Sequence, residues 1–287
     1  ISLQGVGLHT GKEVELKLSP STPNSGTVFK RVDLKENNLI IPTFANVVDT
    51  TLCTTLSNEY GVKVSTIEHL MGALYGLGID NLIVEINSQE LPILDGSAAV
   101  FIERILSTGI KSSSTPIKLI KIEKKVSYQE GSKKISLDKS KVASEIDFEI
   151  KYDNKIIGTQ RNKINIFNDD LKDIYESRTF CLYEDVEKLK NLGLAKGGSL
   201  ENAVVVGEKK VLNPNGLRNS KEFVNHKILD CIGDLFTSGY RMIASVNCSQ
   251  GGHYLTNSLL RKLFENKKNF RSEEHTSELQ SPMYLVC

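Results

Sequence analysis

The chain has no apolar run approaching the roughly 18 residues that a membrane-spanning helix needs, and no signal-peptide pattern at its start. It has no excess of either charge. Among 287 residues, 36 are Lys or Arg and 35 are Asp or Glu, giving a formal net charge of +1. That balance offers no electrostatic footing for nucleic acid or an anionic membrane surface. Paired cysteines are also missing. Cys53, Cys181, Cys231, Cys248 and Cys287 are odd in number and scattered, without metal-ligand spacing. This argues against a disulfide framework and for a reducing, cytoplasmic setting. What remains is ordinary globular material, 39% hydrophobic and 25% charged, long enough for two domains of ordinary size.

The sharpest change in composition is the polar, serine-rich stretch Ser107 to Pro116, which reads as an interdomain linker, taken as 111–116. It divides an N-terminal domain, 1–110, from a C-terminal domain, 117–270. In the first, strand-like runs (Val14 to Leu18, Leu52 to Leu56) lead to a helix beginning at Ser65 and ending near Gly76 and Gly78. The apolar strand Asn81 to Ile86 follows, and then a helix capped by Asp95 or Ser97. In the second, strands come first (Ile117 to Ile122, Ser144 to Tyr152), then helices near Glu184 to Asn191 and Lys221 to Thr237. A strand from Met242 to Val246 and a helix from Asn257 to Phe264 close it. Strands followed by helices, twice, predict α+β layers in each half. No residue-level repeat is visible. The chain opens at Ile1 inside a strand-like run, so a few preceding residues are expected. From Arg271 onward, RSEEHTSELQSPMYLVC shows neither helical nor strand period. It reads as a foreign, adapter-like tail, 271–287, outside the fold.

Six segments carry side chains with chemical potential. In KEFVNHKILDCIGDLFT, at about 100° per residue, Val224, Ile228, Cys231, Ile232 and Leu235 share an apolar face. His226, Asp230 and Asp234 fall at i, i+4 steps on the opposite face. Such a stripe suits metal ligation or a His–Asp pair, but on this helix alone a solvated face is the favoured reading. In STIEHLMGAL, Ser65 and Glu68 have the form of a capping box, which would make His69 an ordinary first-turn histidine. Glu68 could instead act as a general base beside a metal-binding His69. No second histidine follows at i+4, so this is not the H-E-x-x-H of zinc proteases. In QGGHYLTN, two glycines let His253 approach a ligand or simply turn the chain. ESRTF offers the Thr179 hydroxyl to an oxyanion and is uninformative alone. GLHTG suits a tight turn, with a structural role the default for His9. The Gly-Gly pair of residues 191–206 lacks the spacing of a phosphate loop.

Together these segments resemble the UDP-3-O-acyl-N-acetylglucosamine deacetylases, zinc enzymes committing Gram-negative bacteria to lipid A synthesis. The resemblance covers nearly all of residues 1–270. It rests on GVGLHTG, TIEHLMGAL, GIDN with ELPILDGSA, SRTF, KGGSLENA, GLRNSKEFVNHKILDCIGDL and GGHYLTN, in the family's order. It implies two similar α+β domains packed helix layer to helix layer, with the site at their junction. It implies one catalytic Zn2+ held by His69, His226 and Asp230, with the fourth position left open. Glu68 matches the general base, and His253 a protonated histidine assisting the leaving group. Asp234 matches the carboxylate paired with that histidine, Thr179 the oxyanion donor, and Lys227 a contact to the nucleotide sugar. The 191–206 segment matches an insertion forming a hydrophobic passage for the acyl chain, with Leu192, Leu194 and Leu200 as wall residues. No nucleic acid and no obligate protein partner is implied. Two other readings share the residues: a non-catalytic metal-binding module, and a zinc amidase acting on another substrate.

Overall fold

The computed structural model describes residues 1–140 and 144–275. In β2 (Glu13–Pro20), Val14, Leu16 and Leu18 are buried while Glu13, Glu15 and Lys17 face solvent. This is the period-2 pattern of a sheet with one wet face. β2 lies between β1 (Ser2–Val6) and β8 (Leu82–Ile86), and β3 (Thr27–Arg31) and β4 (Leu39–Ile40) complete the sheet. The order is β1-β2-β8-β3-β4, with only β3 and β8 parallel. A small sheet of β5 (Val47–Asp49), β6 (Thr55–Ser57) and β7 (Lys63–Val64) precedes helix α1 (Glu68–Gly76). Helix α2 (Ala99–Thr108) follows β8.

The second half repeats the first. Its main sheet comprises β10 (Val126–Glu130), β11 (Lys133–Asp138), β17 (Ser245–Ser249), β12 (Glu145–Lys151) and β13 (Thr159–Asn165), in that order. Again one pair alone, β12 and β17, is parallel. Helices α5 (Glu222–Phe236) and α6 (His253–Phe264) flank the central strand β17 in sequence as α1 and α2 flank β8. Topology depends on which backbones pair, so it repeats here without any residue-level repeat. Between these elements run α3 (Lys172–Tyr175), β14 (Phe180–Leu182), α4 (Tyr183–Asn191) and β15 (Val204–Val206). A last sheet has β9 (Ile117–Ile122) between β16 (Arg241–Ile243) and β18 (Phe270–His275).

The halves meet helix to helix. A Cβ on Gly233 of α5 would lie 2.0 Å from the Glu68 carbonyl oxygen of α1, and one on Gly72 would lie 2.7 Å from Leu229 Cδ1. Only glycine allows such an approach of backbones. Every residue of α5 except Lys227 is buried, so its polar stripe faces α1 and not water. One apolar core runs through the seam, including Leu16, Phe29 and Leu70 from the first half and Phe148, Phe223 and Leu259 from the second.

Three expectations need correction. The single strand expected at Met242 to Val246 is broken at Ala244 into β16 and β17, which belong to different sheets. Helix α6 starts at His253, four residues earlier than its apolar period announces. The chain also does not lose regular structure at Arg271: β18 pairs antiparallel with β9, from Phe270 opposite Ile122 to His275 opposite Ile117. An open strand edge recruits a neighbour through backbone groups, so no side-chain period is needed. The rest of the expected tail, 276–287, lies outside the described residues.

Candidate active site

The first turn of α1 is set by a buried acid. Glu90 accepts the backbone amides of His9 and Thr10, both at 2.8 Å, and the Thr66 hydroxyl at 3.2 Å. Thr66 is held at φ 58°, a left-handed conformation that β-branched residues avoid. The chain swings there, and the helix begins at Glu68 with no side-chain cap. The expected capping box does not form, because the Ser65 hydroxyl donates to the Gln89 carbonyl at 3.2 Å. That leaves the Glu68 carboxylate free to turn inward, where Oε2 accepts the Thr54 amide at 3.1 Å.

Across the seam, α5 presents His226 and Asp230 to His69. All three are buried, and their ligand atoms lie within 4.8 Å of one another. Asp230 Oδ1 stands 3.6 Å from His69 Nε2 and 3.4 Å from His226 Nε2. It is buried without any hydrogen-bond partner. Asp230 Oδ2, in contrast, accepts the Lys227 ammonium at 2.8 Å. His226 Nδ1 lies 3.1 Å from the Ser177 carbonyl, which can only accept, so Nδ1 carries the proton and Nε2 keeps its lone pair. Burial, outweighing the pull of Asp230, lowers the His226 pKa to about 3 and keeps the ring neutral. Burial works against ionisation of Asp230, but the facing His226 ring and the Lys227 ammonium hold its carboxyl well below the usual range. Arg178 fastens this wall: its guanidinium bonds the buried Glu222 carboxylate at 2.7 Å, at the first residue of α5. Two imidazoles and a carboxylate, whose Oδ1 has no hydrogen-bond partner among the described residues, fit a divalent transition metal.

Beside this cluster stands a second pair. His253 Nδ1 meets Asp234 Oδ2 at 2.7 Å, and its Nε2 lies 3.9 Å from Glu68 Oε1. Burial alone would discharge His253, but the facing Asp234 overrides it and lifts the pKa to about 9. Burial raises the Glu68 pKa above its ordinary value, with His253 and His69 pulling the other way. A base and an acid thus face the same cavity, with their affinities for protons pushed upward.

Thr179 and Lys227 line the same cavity, as do His9 and Leu8 from the glycine-rich turn. That turn is held by the KGG segment, whose Gly197 amide donates to the Leu8 carbonyl at 3.0 Å. Leu192 and Leu200 are exposed, at 74% and 42%, and neither they nor Leu194 are among the residues that line the cavity. Several residues that hold the site were missed by sequence reasoning, among them Glu90, Thr54 and Ser177 through its carbonyl. Glu90 sits within a quoted motif, where an acid before an apolar run is a detectable signal. Thr54 carries none.

A buried two-histidine, one-carboxylate cluster beside a base and an Asp-paired histidine is the equipment of a hydrolase. Its place at the seam of two α+β halves narrows the class further. The family model described as UDP-3-O-acyl N-acetylglycosamine deacetylase (LpxC) matches residues 1–265. The chain belongs to this deacetylase family. Relatives named UDP-3-O-acyl-N-acetylglucosamine deacetylase include one from Myxococcus xanthus, 47% identical over 91% of this chain and 83% of its own. One from Pseudoalteromonas translucida is 45% identical over 90% of this chain and 86% of its own. One from Shewanella violacea is 42% identical over 97% and 92%.

Proposed function

We propose that this chain hydrolyses the 2-acetamido group of UDP-3-O-acyl-N-acetylglucosamine to the free amine and acetate, in the cytoplasm, with one Zn2+ held by His69, His226 and Asp230. The observation that carries the reading is the orphaned Asp230 Oδ1, buried between two imidazole nitrogens with no hydrogen-bond partner among the described residues. A zinc ion held by these three residues would supply Lewis acidity toward the acetamide carbonyl and the attacking water. Glu68 takes the proton of the attacking water as its oxygen adds to the carbonyl carbon. The Thr179 hydroxyl donates to the oxyanion that forms. His253 enters as imidazolium, held by Asp234, and passes its Nε2 proton to the sugar nitrogen as the C–N bond breaks. Lys227 secures Asp230 Oδ2 and stands at the cavity for contact with the nucleotide sugar. The segment 191–206 is proposed as the acyl passage, with Leu192, Leu194 and Leu200 closing on a chain when one is present. Packing of its KGG turn against residues 7–11, at the cavity, supports that role. The repeated sheet topology supports a division into domains at 1–110 and 117–270 about the 111–116 linker.

A purely structural zinc site is ordinarily closed by four protein ligands, and among the described residues this group has three. The decisive experiment is a deacetylase assay with the acylated nucleotide sugar on metal-analysed protein. One zinc per chain is expected, and Glu68→Ala should keep it while losing about 10²–10⁴-fold in turnover. Full activity in that variant removes Glu68 from the mechanism. A metal-free but active preparation removes the ion.

A further inference from the structure

Beyond these assignments, we infer that Thr54 is a positioning residue that ties the general base to the acid. It precedes β6 and is only 2% exposed, standing behind the residues that line the cavity. Its backbone N–H donates to Glu68 Oε2 at 3.1 Å, and its hydroxyl donates to Asp234 Oδ1 at 2.6 Å. Asp234 Oδ2 holds His253 Nδ1 at 2.7 Å, and His253 Nε2 returns to within 3.9 Å of Glu68 Oε1. One small residue thus closes a ring through both proton-carrying groups, and it does so across the seam between the halves.

The two contacts divide the work. The amide fixes one oxygen of Glu68, leaving the other toward His253 and the cavity. The hydroxyl fixes the plane of the Asp234 carboxylate, a terminal torsion that is otherwise broad. With Oδ1 so occupied, Oδ2 is aimed at Nδ1 and the His253 ring is aimed with it. The 2.6 Å separation belongs to the short, charge-assisted class of hydrogen bonds. Losing it frees Asp234 to turn and uncouples His253 from the geometry that Glu68 requires.

The inference rests on the deacetylase reading, so its test has one arm in turnover and one in the resting protein. Thr54→Val removes the hydroxyl and keeps the amide; Thr54→Ser keeps both. In Thr54→Val, kcat should fall about ten- to hundred-fold, the scale of one lost hydrogen bond to a charged group, with KM and metal content unchanged. Thr54→Ser should restore it. Placed on His253→Ala, Thr54→Val should cost nothing more. In the substrate-free protein, the His253 Nδ1 proton resonance should move in Thr54→Val and return in Thr54→Ser. If the wild type deacetylates the nucleotide sugar and neither kcat nor the resonance responds, the role of Thr54 is overturned. It is equally overturned if the Thr54→Val loss persists in full on His253→Ala. A shifted resonance in a protein that does not deacetylate that substrate upholds the coupling and overturns the reading beneath it.

Discussion

The two halves share strand order, the single parallel pair and the helices that flank it, yet they contribute opposite things to the site. The first half delivers Glu68 and His69 from the opening turn of the nine-residue α1, aimed by the left-handed Thr66 and the buried Glu90. The second delivers His226, Asp230 and Asp234 along the 15-residue α5, with no strained residue in the helix. A terminus places groups by the way the chain enters it, whereas a helix body places them by its period. The duplicated frame has therefore been used in two ways: a strained entry into a helix on one side, i, i+4 spacing on the other.

Removing a ligand from either half should have the largest effect. His69→Ala and Asp230→Ala should each empty the metal site and abolish turnover, read by metal analysis beside the assay. If one of them keeps a full complement of metal, the halves are not equal partners in ligation. Next, His253→Ala and Asp234→Asn should lower turnover by about 10²–10³-fold with metal retained. Retained turnover in either would confine the chemistry to the first half and the ligand set. The pH profile should show a smaller effect. His253 is raised to about 9, so the active imidazolium persists below that pH and is lost as pH rises through it. Turnover should decline above about pH 9 on that account, and the limb should vanish in His253→Gln. Burial raises the Glu68 carboxyl, so the acid-side decline should begin above the ordinary glutamate range. The smallest effects concern the seam. Gly233→Ala drives a methyl into the Glu68 carbonyl, whereas Gly72→Ala meets the movable end of Leu229. Thermal unfolding should show Gly233→Ala costing about 1–3 kcal/mol and Gly72→Ala less. Equal costs would mean that the two glycines relax alike.

Much of this was legible before any coordinates. The period of 221–237 put His226, Asp230 and Asp234 on one stripe, and that stripe is real. Its surroundings were not legible, because the same spacing serves a wet face and a face buried against another helix. Only the other motifs, taken together, decided between them. Ser65 and Glu68 misled for a related reason: a capping box is a local pattern, and the Ser65 hydroxyl goes instead to the carbonyl of Gln89, 24 positions further along the sequence. Thr54 was invisible, since a threonine in a polar run announces nothing about an aspartate 180 residues away. Strand β18 escaped notice because edge pairing requires only backbone.

The contact at Gly233 bears on how the protein comes to be active. Neither half alone holds the group that could bind a metal ion: His69 rides on one helix, His226 and Asp230 on the other. On the proposed reading, affinity for an ion would be a property of assembly, absent until the halves have docked. The relation is reciprocal, for an ion that binds only the docked state must stabilise docking by the same free energy. Chelation should therefore loosen the joint as well as silence the chemistry, so that occupancy becomes a gauge of whether the molecule is whole.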